Sequence, residues 1–181
     1  MNRKRLRYCA VIFFLLNWPA IICAQSEKRY AELPNFHQVN AQLYRGAQPQ
    51  RDGLLRLREL GVKTIINLRA SDKNARAEEA EAKVLGLRYF NIPLERLGKP
   101  TDAEIDQILS IINARDNQPV FVHCMKGQDR TGTVIAIYRI KHDGWTSEEA
   151  VREAEKYGMK FWQLGMKDYI RDYAKQRSSP K

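Results

Sequence analysis

Very little in this sequence can form a cross-link. There are three cysteines in 181 residues, and two of them, Cys9 and Cys23, lie within the first 24. Cys124 stands alone in the remainder, so no intramolecular disulfide can form there. No second cysteine is available to protect it from over-oxidation either. No metal-binding motif is present, and neither a metal nor a cofactor is expected. There is no internal repeat and no low-complexity stretch, which excludes solenoids and repeat arrays. Long apolar runs are also missing. The longest apolar stretch, residues 8–24, is broken by Asn17 and Pro19 and falls short of the roughly 20 residues a membrane-spanning helix needs.

That stretch has a different construction. Arg3, Lys4, Arg5 and Arg7 precede an apolar segment, residues 9–16, and Ala24 places a small residue before the polar Gln25. This is the build of a secretory signal peptide. The expectation is export to the periplasm or beyond, with an uncleaved membrane anchor as the alternative and no stable span once the leader is removed. The 157 residues after it are enough for one core. The expected organisation is a leader at 1–24, a linker or lid at 25–40, one domain at 41–177 and a frayed tail at 178–181. Acidic residues are in the minority: 21 against 27 Lys and Arg beyond the leader, a net charge of about +6. The basic residues are scattered through helical segments, which argues for a solvated surface and against nucleic-acid binding. Such a surface still draws in anionic substrates.

Apolar periodicity alternates between two kinds of segment. Leu54, Leu55, Leu57 and Leu60 mark a helix stopped by Gly61, and residues 62–67 read as a strand. A second helix from about Asn74 sets Ala77, Ala80, Val84 and Leu85 on one face and stops at Gly86. Residues 87–94 form the next strand. Thr101-Asp102-Ala103-Glu104 has capping-box spacing before a face of Ile105, Ile108, Leu109 and Ile112. Thr146-Ser147-Glu148-Glu149 repeats that spacing for a helix ending near Gly158, and residues 161–173 form a last helix. Alternation of this kind argues for a central sheet flanked by helices on both faces.

Between residues 119 and 138 lies the segment that carries chemistry. Pro119-Val120-Phe121-Val122 reads as a buried strand and Thr133-Val134-Ile135-Ala136-Ile137-Tyr138 as a buried helix. His123-Cys124-Met125-Lys126-Gly127-Gln128-Asp129-Arg130-Thr131-Gly132 joins them. A strand turning sharply into a helix directs successive N–H groups and the helix's positive end at one point, which favours an anion. A phosphate held by the amides of residues 125–130 and by a bidentate Arg130 would sit above Cys124. The same field lowers the thiol pKa, so the thiolate can attack phosphorus.

The loop HCMKGQDRTG resembles the HCxxGxxR[ST]G loop of the cysteine-dependent protein tyrosine phosphatase superfamily, nearest to its small bacterial dual-specificity-like members. The similarity takes in Leu43-Tyr44-Arg45-Gly46-Ala47-Gln48-Pro49, residues 62–69, Tyr138-Arg139 and residues 144–150. The resemblance implies a single-domain protein tyrosine phosphatase-like fold with a mostly parallel sheet, and a monomer. It also implies hydrolysis of phosphate monoesters through a phosphocysteine intermediate. Thr131 then assists the departure of Cys124 in the second half-reaction, and His123 braces the loop, its side chain opposite to that of Cys124. His37 and His142 are expected to be ordinary surface residues.

The resemblance also exposes a departure. Superfamily members usually place an Asp general acid about thirty residues before the cysteine. Here that region reads Asn91-Ile92-Pro93-Leu94-Glu95-Arg96-Leu97-Gly98, with no Asp. Glu95, 29 residues upstream, is the first candidate acid. Asp129 within the loop is the alternative, as in phosphoinositide phosphatases with Asp before the arginine, and Asp102 is the third. Lys126 adds a second cation to the loop, which suits substrates with adjacent phosphates. The expected substrates are phosphorylated proteins, of tyrosine or dual-specificity type, with phosphoinositides or inositol polyphosphates as the alternative. A phospho-ligand-binding pseudophosphatase and a rhodanese-like sulfurtransferase are the remaining readings. The intact Cys124 and Arg130 speak against the first, and Arg130-Thr131-Gly132 with its following helix against the second.

Overall fold

The computed structural model describes residues 29–178. The expected leader and the end of the expected tail therefore lie outside the described residues. Five strands form one sheet: β1 (His37–Asn40), β2 (Leu43–Gly46), β3 (Thr64–Asn67), β4 (Arg88–Asn91) and β5 (Val120–His123), in the order β1-β2-β5-β3-β4. Only β1 runs antiparallel; β2, β5, β3 and β4 are mutually parallel. The register pairs Gly46, His123, Asn67 and Asn91 along one edge. All four parallel strands therefore open their carboxyl ends onto the same crevice, the usual ligand position in open α/β sheets.

Alternation along β5 divides the core into two. Phe121 joins Ile65, Val62 and Leu87 beneath α1 (Gly53–Glu59) and α2 (Lys73–Val84). Val120 and Val122 join Ile66, Leu68 and Leu43 on the other face. There they meet α3 (Asp102–Asn113), α4 (Asp129–Tyr138), α5 (Ser147–Lys156) and α6 (Leu164–Ser178). Both expected capping boxes form, at Thr101 with Glu104 and at Thr146 with Glu149. Each supplies partners for first-turn N–H groups that the helix itself cannot satisfy. Among the described residues no helix is long and apolar enough to cross a membrane.

Three expectations change. The stretch expected to be a linker or lid is partly structural: Leu33 is buried in the core beneath α1, and His37–Asn40 extends the sheet. The face of α2 is rotated. It buries Ala75, Glu78 and Ala82, while Val84 is exposed. A carboxylate turns inward because it has partners there, described below, and this outweighs the burial of a valine at the helix end. The last helix starts at Leu164 and runs through Ser178, so the tail's first residue belongs to it.

Candidate active site

Cys124 follows the last residue of β5, and its side chain falls on the opposite face from that of His123. His123 stacks on Phe121 beneath α2, whereas Cys124 packs with the α3–α6 core. The turn that follows is crowded. Gly127 adopts φ +65°, and a Cβ there would lie 2.4 Å from the carbonyl carbon and oxygen of Gly46. Only glycine tolerates both the conformation and the contact. The turn then runs directly into α4, with Asp129 and Arg130 in its first turn.

Three successive carbonyls of the loop face outward to donors. Met125 O accepts from the Gln48 N–H at 3.4 Å, and Lys126 O accepts from Asn35 Nδ2 at 3.1 Å. Gly127 O accepts from Asn35 Nδ2 and from Arg45 Nη2, each at 3.1 Å. In a planar trans peptide the N–H points away from the preceding carbonyl. The N–H groups of Lys126, Gly127 and Gln128 therefore turn inward, toward the space above Cys124. With the N-terminus of α4, they form an anion cradle.

Cys124 is almost fully buried. Burial alone would push its thiol pKa up, but the Thr131 hydroxyl and N–H, the Arg130 charge and the Lys126 N–H bring it below the ordinary value. Thr131 Oγ1 is buried and, among the described residues, makes no hydrogen bond of standard geometry. Arg130 donates from Nη1 to Leu68 O at 3.0 Å, which fixes the guanidinium at the mouth of the loop. Met125 and Lys126 side chains are exposed, so within the cradle Lys126 contributes its backbone amide. The side chain of Gln128 lies against Gly158, where a Cβ would come within 2.7 Å of its Nε2.

The brace beneath the loop is denser than the sequence revealed. His123 Nε2 lies 3.1 Å from Glu78 Oε1, and His123 Nδ1 lies 3.3 Å from Cys124 O. Glu78 also accepts from Asn67 Nδ2 at 2.6 Å, Gln48 Nε2 at 2.7 Å and Tyr89 OH at 3.0 Å. Burial would raise the Glu78 pKa, yet His123, Tyr89 and Gln48 hold it below the usual carboxylate range. Packed beneath the loop, on the face opposite to the Cys124 side chain, His123 is placed to brace it.

The three candidate acids occupy different environments. Glu95 is exposed and directly follows Leu94, whose N–H donates to Leu68 O at 3.2 Å. That carbonyl also accepts from Arg130, so the backbone at Glu95 starts beside the arginine. Asp129 Oδ1 accepts from the Lys160 N–H at 2.9 Å, tying the α5–α6 connection to the loop. Asp102 accepts from Tyr169 OH at 2.7 Å at the start of α3. Sequence reasoning gave no role to Asn35, Arg45, Glu78 or Tyr157. An arginine inside the short buried strand Leu43–Gly46 was the one available signal among them.

Comparison with known proteins agrees with this geometry. The family described as "DSP-PTPase phosphatase fused to NAD+ Kinase" matches residues 14–172. Over 139 residues the chain is 31% identical to the dual specificity protein phosphatase TpbA of Pseudomonas aeruginosa strain PAO1, covering 76% of this chain and 59% of TpbA. The chain thus spans about three fifths of that relative's length. The crystal structure of P. aeruginosa TpbA matches with a TM-score of 0.66 at 26% identity, covering 81% of this chain and 92% of that one. Inositol diphosphatase DSP5 of Arabidopsis thaliana is 28% identical over 151 residues, 77% of this chain and 70% of that protein. An amide cradle closing on a lowered cysteine thiol and a tethered arginine, on this sheet, is what these relatives lead one to expect: the chain belongs to the DSP-PTPase family, within the cysteine-dependent protein tyrosine phosphatase superfamily.

Proposed function

We propose that this protein hydrolyses phosphate monoesters of proteins, with tyrosine or dual specificity, through a phosphocysteine. The observation that carries the reading is the convergence of three inward N–H groups and Arg130 around a lowered Cys124 thiol. The Cys124 thiolate forms the S–P bond as the ester P–O bond breaks, and Glu95 gives its proton to the departing oxygen. Arg130 and the amides hold the equatorial oxygens, where transition-state charge accumulates. Water then attacks phosphorus and releases inorganic phosphate, while the Thr131 hydroxyl donates to the returning thiolate. Gln128 or a carboxylate orients that water. The protein acts as an exported monomer without a metal.

A second reading, hydrolysis of phosphoinositides or inositol polyphosphates, rests on one observation. Lys126 is exposed on the loop that binds phosphate, where its ammonium can meet a neighbouring phosphoryl group. Among the relatives, one is named an inositol diphosphatase. A panel of phosphotyrosine and phosphothreonine peptides, phosphoinositides and inositol polyphosphates, assayed with wild type and Lys126→Met, separates the two. Under the first reading, peptides are the better substrates and Lys126→Met loses little. Under the second, Lys126→Met loses about tenfold or more on adjacent phosphates, since a contact to a charged group is worth roughly 1.5–3 kcal/mol.

A further inference from the structure

Behind the loop, on the side away from any substrate, lies a polar cluster that the chemistry above does not use. Arg45 is 1% exposed, and among the described residues its Nε and Nη1 find no acceptor. A buried guanidinium with unused donors is costly unless its position is needed. Its Nη2 donates to Gly127 O, and its guanidinium lies over the Tyr157 ring, 4.5 Å from the centroid. Asn35 donates to the same carbonyl. It has φ +51°, a left-handed conformation uncommon outside glycine. In that conformation its single amide group spans Lys126 O, Gly127 O and, at 3.3 Å, Tyr157 O. The far end of the same side chain is held as well, with His37 Nε2 3.1 Å from Asn35 Oδ1.

Strained residues that persist usually have surroundings that require them, and they cluster at functional sites. Here the strain and the buried cation meet on two adjacent peptide planes. If those carbonyls rotated toward the crevice, the N–H groups of Gly127 and Gln128 would leave it, and partial negative charge would face the phosphate. We infer that Asn35 and Arg45 are positioning residues for phosphate capture, holding the Lys126 and Gly127 carbonyls out of the anion cradle. Arg45 acts in a second way through its charge. Burial lowers its pKa to about 10, which leaves it cationic at neutral pH; Glu153 is the leading charge that supports the cation, followed by Tyr157 and the Cys124 thiolate. The stretch ahead of β1 thus belongs to the active site, as a fixed support.

This inference rests on the phosphatase reading only for the meaning of the captured anion, and the test separates the two. Asn35→Gly removes the amide while keeping the left-handed backbone permissible, and Arg45→Lys keeps a charge but loses the planar group that stacks over Tyr157 as it reaches Gly127 O. In the full chain, alkylation of Cys124 by iodoacetamide is followed across pH by peptide mass spectrometry. Inorganic phosphate protection and turnover of p-nitrophenyl phosphate are measured beside it. Both variants are expected to move the alkylation midpoint to higher pH and to weaken phosphate protection. They should lower kcat/KM on the order of 10²-fold, the scale of a misplaced catalytic group, with thermal melting close to wild type. A lowered melting temperature with an unchanged alkylation profile and unchanged phosphate protection would reduce both residues to structural supports and overturn the inference. Altered alkylation and phosphate protection in a protein that turns over no phosphate ester would uphold the inference and sink the phosphatase reading instead.

Discussion

The loop from Cys124 to Thr131 and the loop from Ile92 to Thr101 open on the same edge of the sheet, yet they are built in opposite ways. In the first, three successive carbonyls have donors, the arginine is tethered, and the glycine has no room for a side chain. In the second, Pro93, Glu95, Arg96, Leu97 and Lys99 are all exposed. It is anchored at its ends, by the Ile92 N–H to Asn67 O at 2.9 Å and by Thr101 to Glu104, and between them by the Leu94 N–H to Leu68 O, Gln163 Nε2 to Arg96 O at 3.1 Å, and the approach of Gly165 to Gly98. The difference teaches where preorganisation is spent. Binding and attack at phosphorus need donors fixed before the charge develops. Protonation of the leaving oxygen needs only that a carboxyl reach it once substrate is bound.

The comparison breaks most decisively at the nucleophile. Cys124→Ser is expected to abolish turnover of an aryl phosphate while the protein remains folded and still binds phosphate, because amides and Arg130 do the binding. Turnover near wild type would end the cysteine mechanism. The acid loop comes next. Glu95→Gln should slow alkyl phosphates by about 10²–10⁴-fold and spare nitrophenyl phosphate, whose leaving group needs no proton. The same pattern in Asp129→Asn, with Glu95→Gln unaffected, would move the role into the catalytic loop and erase the contrast between the two regions.

Gly127→Ala probes the crowding itself. The left-handed backbone and the contact with Gly46 together should cost about 2–5 kcal/mol of stability, seen as a lower thermal midpoint. Gly98 also has a positive φ, but a Cβ there would meet only the flexible end of Glu95, at 3.2 Å, so Gly98→Ala should cost less. The smallest effect concerns pH. The Cys124 pKa is lowered, so thiolate is present below the ordinary cysteine range near pH 8.5. Alkylation and kcat/KM should therefore rise with pH at a midpoint below that value and reach a plateau above it. A midpoint at or above that of a free cysteine would mean that burial outweighs Thr131, Arg130 and the Lys126 amide.

The residues proposed to do chemistry were legible because the signal is local. Strand, cysteine, glycine, arginine and helix follow one another within residues 119–138, and backbone geometry over so short a span follows from residue type alone. The alternation of helices and strands and both capping boxes were legible for the same reason, and they delivered the parallel sheet. What supports the loop was not legible. Asn35 reaches carbonyls 91 and 92 residues away, and Arg45 one 82 residues away. Periodicity puts Glu78 on the wrong side of α2, because it assigns carboxylates to solvent. Its partners Asn67, Gln48, Tyr89 and His123 come together only when β3, β4 and β5 are laid side by side. By itself the sequence determined the class of fold, and it singled out the candidate nucleophile and the candidate anion-binding turn. Tertiary structure alone decided how the turn is braced and where the candidate acids sit. A buried polar group is stable only beside its partners, and those partners are distant in the chain.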